Sequence, residues 1–260
     1  MHLTLALTIP SWLIAALVVV VGGHLLLIVL LKASFKTNAK PTFTRLPDDA
    51  PMPPALARAL ADWEGQMLQL GYTREAVVAS DDMQPNSSML AVTYAHRKEQ
   101  TLAMIVSLES RAKTQAGETV IANTYAEFST DMANGTSVMT GNSKEVGFGP
   151  RTPDKIPLVL PGVDVLTLHR VHVRATSLQG PAKPHDWSMT MPQVCQRAIE
   201  RFIQRGVRHG YLTPPHDGHS RLTWKGACIG LFTNIPPGKQ IWRATGLRPG
   251  KAMLAQVAHG

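Results

Sequence analysis

From Trp12 to Leu31 the chain reads WLIAALVVVVGGHLLLIVLL, twenty residues without a formal charge, and no other stretch stays apolar over that length. As a helix rising about 1.5 Å per residue, such a run measures about 30 Å, the hydrocarbon thickness of one bilayer. A cleaved signal peptide fits less well, because residues 1–11 hold no Lys or Arg, the run is too long for an h-region, and no small-x-small site follows. The pattern predicts a transmembrane helix over 12–31. His24, beside Gly22 and Gly23, reads as a helix-packing position, since a lone span encloses no ion path.

Residues 32–53 change character: Lys, Thr, Asn and Pro41, Pro47, Pro51 and Pro53 predict an extended linker, with a reach of about 70 Å in polyproline geometry. Pro53-Pro54 then opens a helical period that places Leu56, Leu60, Trp63, Met67 and Leu70 on one face, with Gly71 as its stop. Period two takes over at Ala76–Ala79, Leu90–Tyr94, Leu102–Leu108, Val120–Phe128 and Val138–Thr140. Short polar turns between these runs predict an antiparallel sheet of four or five strands.

The Gly- and Pro-rich stretch 141–162 predicts an irregular crossing. Helices are expected at Val163–Leu178 and at Met191–Arg208, the latter with Val194, Ala198, Phe202 and Val207 as its stripe and Gly210 as its stop. A hairpin around Asp217-Gly218 and a helix from Ala227, broken at Pro236-Pro237, complete the pattern. The class is α+β. Its divisions are a short extracytoplasmic tail (1–11), the transmembrane helix (12–31), the linker (32–53), an α+β domain (54–183) and a basic helical C-terminal portion (184–260).

With 44% apolar and 17% charged residues, the chain is neither disordered throughout nor a multispan transporter. Cys195 and Cys228 alone exclude a disulfide scaffold and a thiolate zinc finger. The net charge of +8 divides as +4 over residues 1–46, −3 over 47–184 and +7 over 185–260. Lys32, Lys36, Lys40 and Arg45 follow the apolar run, whereas its N-terminal flank offers only the amino group and His2. By the positive-inside rule, the protein sits in the cell membrane with its N-terminus outside and its soluble part cytoplasmic.

Arg197, Arg201, Arg205 and Arg208 recur every three or four residues and form one ridge on their helix. Together with Lys32, Lys36, Lys40 and Arg45 they are the expected contacts to a protein partner or to anionic lipid, which attracts each such charge by about 1 kcal/mol.

Catalytic chemistry is sparse. His169 with His172 and His216 with His219, plus His209, offer two imidazole pairs for an ion, but no HExxH pattern occurs. Ser129-Thr130-Asp131 with His169 lacks the GxSxG elbow, and GNSKEVGFGP lacks the phosphate-loop spacing. No catalytic residue, cofactor or metal is assigned. The alternative to a binding protein is a His-dependent hydrolase, metal-assisted in one version.

A basic helix followed by Gly210-Tyr211-Leu212 and Arg221-Leu222-Thr223-Trp224-Lys225-Gly226 resembles the last helix and wing of winged-helix domains, which implies nucleic-acid binding as a further alternative; no helix-turn-helix precedes it. YAEFSTDMANGTSVMTGN at 125–142 and RLTWKGA at 221–227, with the apolar run, resemble uncharacterised single-span membrane-anchored bacterial proteins. That resemblance implies the same layout and brings no activity with it. The expected function is non-enzymatic: a membrane-anchored cytoplasmic domain that binds or scaffolds a protein partner or the inner leaflet.

Overall fold

The computed structural model describes residues 10–114, 117–143 and 152–258, without the side chains of 13–17, 112–114 and 118. Most of the tail expected at 1–11 and the core of the glycine-containing stretch at 144–151 lie outside the described residues.

The elements run α1 (Ser11–Ser34), β1 (Lys36–Asn38), β2 (Thr44–Leu46), α2 (Pro54–Gln69), β3 (Thr73–Ser80), β4 (Ser87–His96), β5 (Thr101–Thr114), β6 (Gly117–Asp131), β7 (Ser137–Gly141) and β8 (Lys155–Val159). They continue with α3 (Val165–Ser177), α4 (Met191–Arg208), β9 (His219–Arg221), α5 (Trp224–Asn234) and α6 (Gly238–Ala258). Three helices start at capping residues. Asp164 accepts a hydrogen bond from the Thr167 amide at the head of α3, Thr190 and Gln193 form a reciprocal capping box on α4, and Thr223 caps α5. Gly71 ends α2 with φ +86°, a conformation open to glycine at little cost.

The mixed α+β class is as expected, but the main sheet has seven strands rather than four or five, in the order β2-β3-β4-β5-β6-β7-β8. The five runs of period two are β3 to β7, and the two extra strands are the edges. β2 lies in the segment read as a linker and pairs antiparallel with β3; β8 lies in the stretch read as an irregular crossing and pairs parallel with β7. The sheet is therefore mixed. Both edges are too short to show alternation, and Pro157 inside β8 is tolerated because an edge strand has one free side.

Residues 32–53 are likewise not a free tether. β1 pairs with β9, and Ala39 is buried with Ile203 of α4 and Leu212, against which Phe35 also packs. Two short pairings and one apolar cluster hold this segment to the body.

One face of the sheet carries the main core, where Val77, Val92, Tyr94, Ile105, Phe128 and Val138 meet Leu56 and Met67 of α2, Leu168 and Val171 of α3, and the distal half of α6. α4 covers part of the other face, setting Met191, Val194 and Cys195 on Ala76 and Val78. β3 is thus buried on both sides, which accounts for its unbroken apolar run. Trp63 shares the α2 face but is only partly buried at its margin.

Counted over the described residues alone, which leave out the side chains of 13–17, no helix is long and apolar enough to cross a membrane; of the span expected at 12–31 the structure shows a helix of 24 residues. Its described side chains from Val18 to Leu27 are exposed, with Val19 at 74%. Among its described side chains only Ile28, Leu31 and Lys32, at i, i+3 and i+4, are partly covered, as is Phe35 just after the helix.

Candidate functional site

The covered face at the base of α1 rests on α5. Leu31 approaches Gly230 so closely that a Cβ there would lie 3.1 Å from a Leu31 methyl, and the Lys32 ammonium sits 5.0 Å from the centre of the Trp224 ring. Gly226, one turn earlier on α5, lies against the Tyr211 carbonyl and leaves no room for a Cβ. Small residues on this side of α5 let backbone and neighbouring helix approach.

The β1–β9 ladder sets Lys36 opposite Arg221, and the Lys225 ammonium lies 4.5 Å from the Tyr211 ring centre while donating to the His209 carbonyl at 2.9 Å. Lys32, Lys36, Arg221 and Lys225 therefore form a basic collar, with Trp224 and Tyr211 among them, where α1 joins the body. Sequence reasoning put Lys32 and Lys36 among the membrane or partner contacts but Arg221 and Lys225 in a winged-helix-like stretch, and only the β1–β9 pairing and the α1–α5 contact bring the four to the same place. Lys40 and Arg45 fall elsewhere: Lys40 lines a cleft with Phe43 and α4, and Arg45 is exposed on edge strand β2.

The arginine ridge of α4 is largely answered from within. Arg201 pairs with Asp131 at the end of β6, and Arg205 donates to Asp154 at 2.9 Å, with Arg208 at 3.9 Å and His209 at 3.5 Å from the same carboxylate. Burial opposes the charge on Asp154, but the neighbouring Thr152 hydroxyl and the Arg205 guanidinium outweigh it and hold the carboxyl down at about 2. Arg197 lines a cleft of about 390 Å³ between α4, the sheet and residues 183–189, together with Asp131, His185 and Gln100. The ring of His185, one of its lining residues, lies 4.4 Å from that of Trp187, and the Arg97 guanidinium sits 5.0 Å from the Trp187 ring centre. The ridge docks α4 onto the sheet before it meets anything outside.

The histidines of the two expected pairs fall in different settings, and His169 meets His96 through Glu99 and Tyr72. His172 is fully buried, with its two ring nitrogens 2.9 Å and 3.0 Å from the hydroxyls of Thr130 and Thr140, and burial, then the neighbouring His169, push its pKa down to about 3. It is a neutral, hydrogen-bonded core residue. His169 reaches Glu99 at 3.2 Å and packs edge-on against Tyr72; burial lowers its pKa although Glu99 resists.

Alternation along β6 separates the expected nucleophile group: Thr130 points to His172, while Ser129 and Asp131 point to the α4 cleft on the opposite face. His216 and His219 flank the hairpin turn, where His216 pairs with the exposed Asp217. Among the described residues no three His, Cys, Asp or Glu side chains come together as metal ligands. Compared with family models, with curated proteins and with solved structures, the chain matches none.

Proposed function

We propose that this chain is a single-span membrane protein whose α1 crosses the cell membrane, N-terminus outside, and whose α+β body is held directly at the cytoplasmic leaflet, where it binds or scaffolds a protein partner. The observation that carries the reading is the exposed surface of α1 from Val18 to Leu27: a helix apolar on every described side and packed against nothing requires an apolar solvent. The uncharged run of twenty residues has the length for one crossing.

The basic collar supports the orientation, since Lys32, Lys36, Arg221 and Lys225 gather where α1 leaves the apolar phase, and anionic headgroups attract them. The α4 cleft is the surface we assign to the partner, with Arg197, Gln100 and His185 offering polar groups and Trp187 packed beside His185. The test is fractionation followed by protease treatment. The chain should resist alkaline extraction from membranes, and its body should be digested in inside-out vesicles and spared in intact cells. Release by alkali, or digestion from outside, would overturn the reading.

A further inference from the structure

From His219 to Gly260 the chain has no Asp or Glu, yet Arg221, Lys225, Lys239, Arg243, Arg248 and Lys251 all fall there. In this stretch α5 and the first half of α6 form a corner. Gly238 starts α6 directly against the Phe232 carbonyl, where a Cβ would have no room. The distal half of α6 returns to the body, with Gly250 on the Val159 carbonyl and Met253, Leu254 and Val257 against the core.

The corner itself leaves Trp224, Phe232 and Ile241 exposed, although Gly226, Ala227 and Leu231 of α5 are buried. Three large apolar side chains uncovered among cations, with no carboxylate nearby in sequence, suit neither water nor an acidic core. Their composition, exposed aromatic and aliphatic groups interspersed with Lys and Arg, is that of a surface at a membrane–water interface. The patch also continues the surface of α1, through Leu31 on Gly230 and Lys32 over Trp224.

We propose that the α5–α6 corner is a second membrane element, seated in the anionic leaflet from which α1 emerges. Phe232 and Ile241 enter the acyl boundary, and Trp224, Lys225 and Lys239 lie at the headgroups. Lys32, the first cation after the apolar run, sets the depth of Trp224. This rests on the membrane-span reading and extends it: the body is attached at two places, so its rotation about α1 is restricted.

The test uses the full chain, with Cys228→Ser, reconstituted in vesicles of phosphatidylcholine and phosphatidylglycerol and spin-labelled singly at Val20→Cys, Phe232→Cys, Ile241→Cys or Leu178→Cys. All four positions are exposed, so no core contact is lost. Labels at 232 and 241 should resemble the one at 20, with an oxygen-to-nickel-chelate accessibility ratio several-fold above that of the label at 178. If 20 is lipid-exposed but 232 and 241 resemble 178, α1 spans and the corner proposal fails. If 20 itself is water-exposed, the span reading fails and the corner proposal with it. Shielding of 232 and 241 from both reagents would show a protein contact instead and equally overturn the proposal.

Discussion

The Lys32 ammonium lies over the indole ring of Trp224, 5.0 Å from its centre, joining the last turn of the apolar helix α1 to the first turn of α5. Beside it Leu31 meets Gly230, so the body is docked on the helix that carries it. A domain on a loose linker samples many positions relative to the helix before it; this one is held at the base of α1.

Glycine substitutions on two helices should therefore act in opposite directions. Gly226→Ala on α5 would drive a methyl into the Tyr211 carbonyl and should destabilise the detergent-solubilised chain by about 1–3 kcal/mol. Gly65→Ala, on the open side of α2 with nothing within 4 Å, should stabilise it by about 0.5–1 kcal/mol. Urea denaturation followed by circular dichroism measures both.

His172 makes stability depend on pH in a defined direction. Its folded pKa of about 3 lies below the ordinary 6.5, so the unfolded chain binds the extra proton between those values. Its contribution is complete above about pH 6.5 and is lost on acidification towards pH 3, at up to about 1.4 kcal/mol per pH unit. Lowering the pH from about 7.5 to about 5.5 should cost about 1 kcal/mol through this group. His172→Gln, which still offers hydrogen bonds to Thr130 and Thr140, should flatten that slope. An unchanged slope would mean that His172 is not the group responsible.

The paired arginines of α4 should matter for folding more than for lipid. Arg205→Gln breaks a half-buried pair with Asp154 and should cost about 1–2 kcal/mol, between the values for exposed and buried pairs. Arg208→Gln, whose side chain is largely exposed, should cost less than about 0.5 kcal/mol. Neither should alter the preference of the reconstituted chain for spin-labelled phosphatidylserine over phosphatidylcholine. Lys36→Gln with Arg221→Gln should lower that preference, by about 1 kcal/mol per charge at most.

In the main core, Leu56→Ala should cost about 2–5 kcal/mol, because Leu56 is fully buried against the sheet. Trp63→Ala should cost less than the roughly 3–5 kcal/mol typical of a buried tryptophan, because Trp63 packs at the core margin. A loss at Trp63 within the full range of about 3–5 kcal/mol for a buried tryptophan would contradict this packing.

How far the sequence reveals this molecule differs from element to element. α4 is legible in its bounds and in Gly210 as its stop but not in its face, because Ala198 and Phe202 are exposed and Cys195 and Ile203 are buried instead. β4 to β7 are legible as period-two runs and β3 as a short apolar run between turn formers. β2 and β8 are not: three and five residues show no period, and both become strands only because a neighbour offers free backbone groups. α6 lies beyond the last helix expected from the pattern; it holds Pro249 with Gly246 and Gly250, and the close approach of Gly250 to Val159 makes that glycine a packing requirement. The ridge from Arg197 to Arg208 is plain in the spacing, whereas Asp131 and Asp154 lie far off in the chain and only the fold brings them to it. The same holds for Arg221 and Lys225 in the collar.

Whether the body is seated on α1 is tested most directly by one distance distribution. Spin labels at Val29→Cys and Leu178→Cys, in the full chain with Cys228→Ser in lipid nanodiscs, report the position of the body relative to the helix. A docked base predicts a single narrow distribution that widens when Gly230→Phe wedges α5 away from Leu31. A broad distribution in the unmodified background, spread over the tens of ångströms that a free linker of about 22 residues allows, would contradict it.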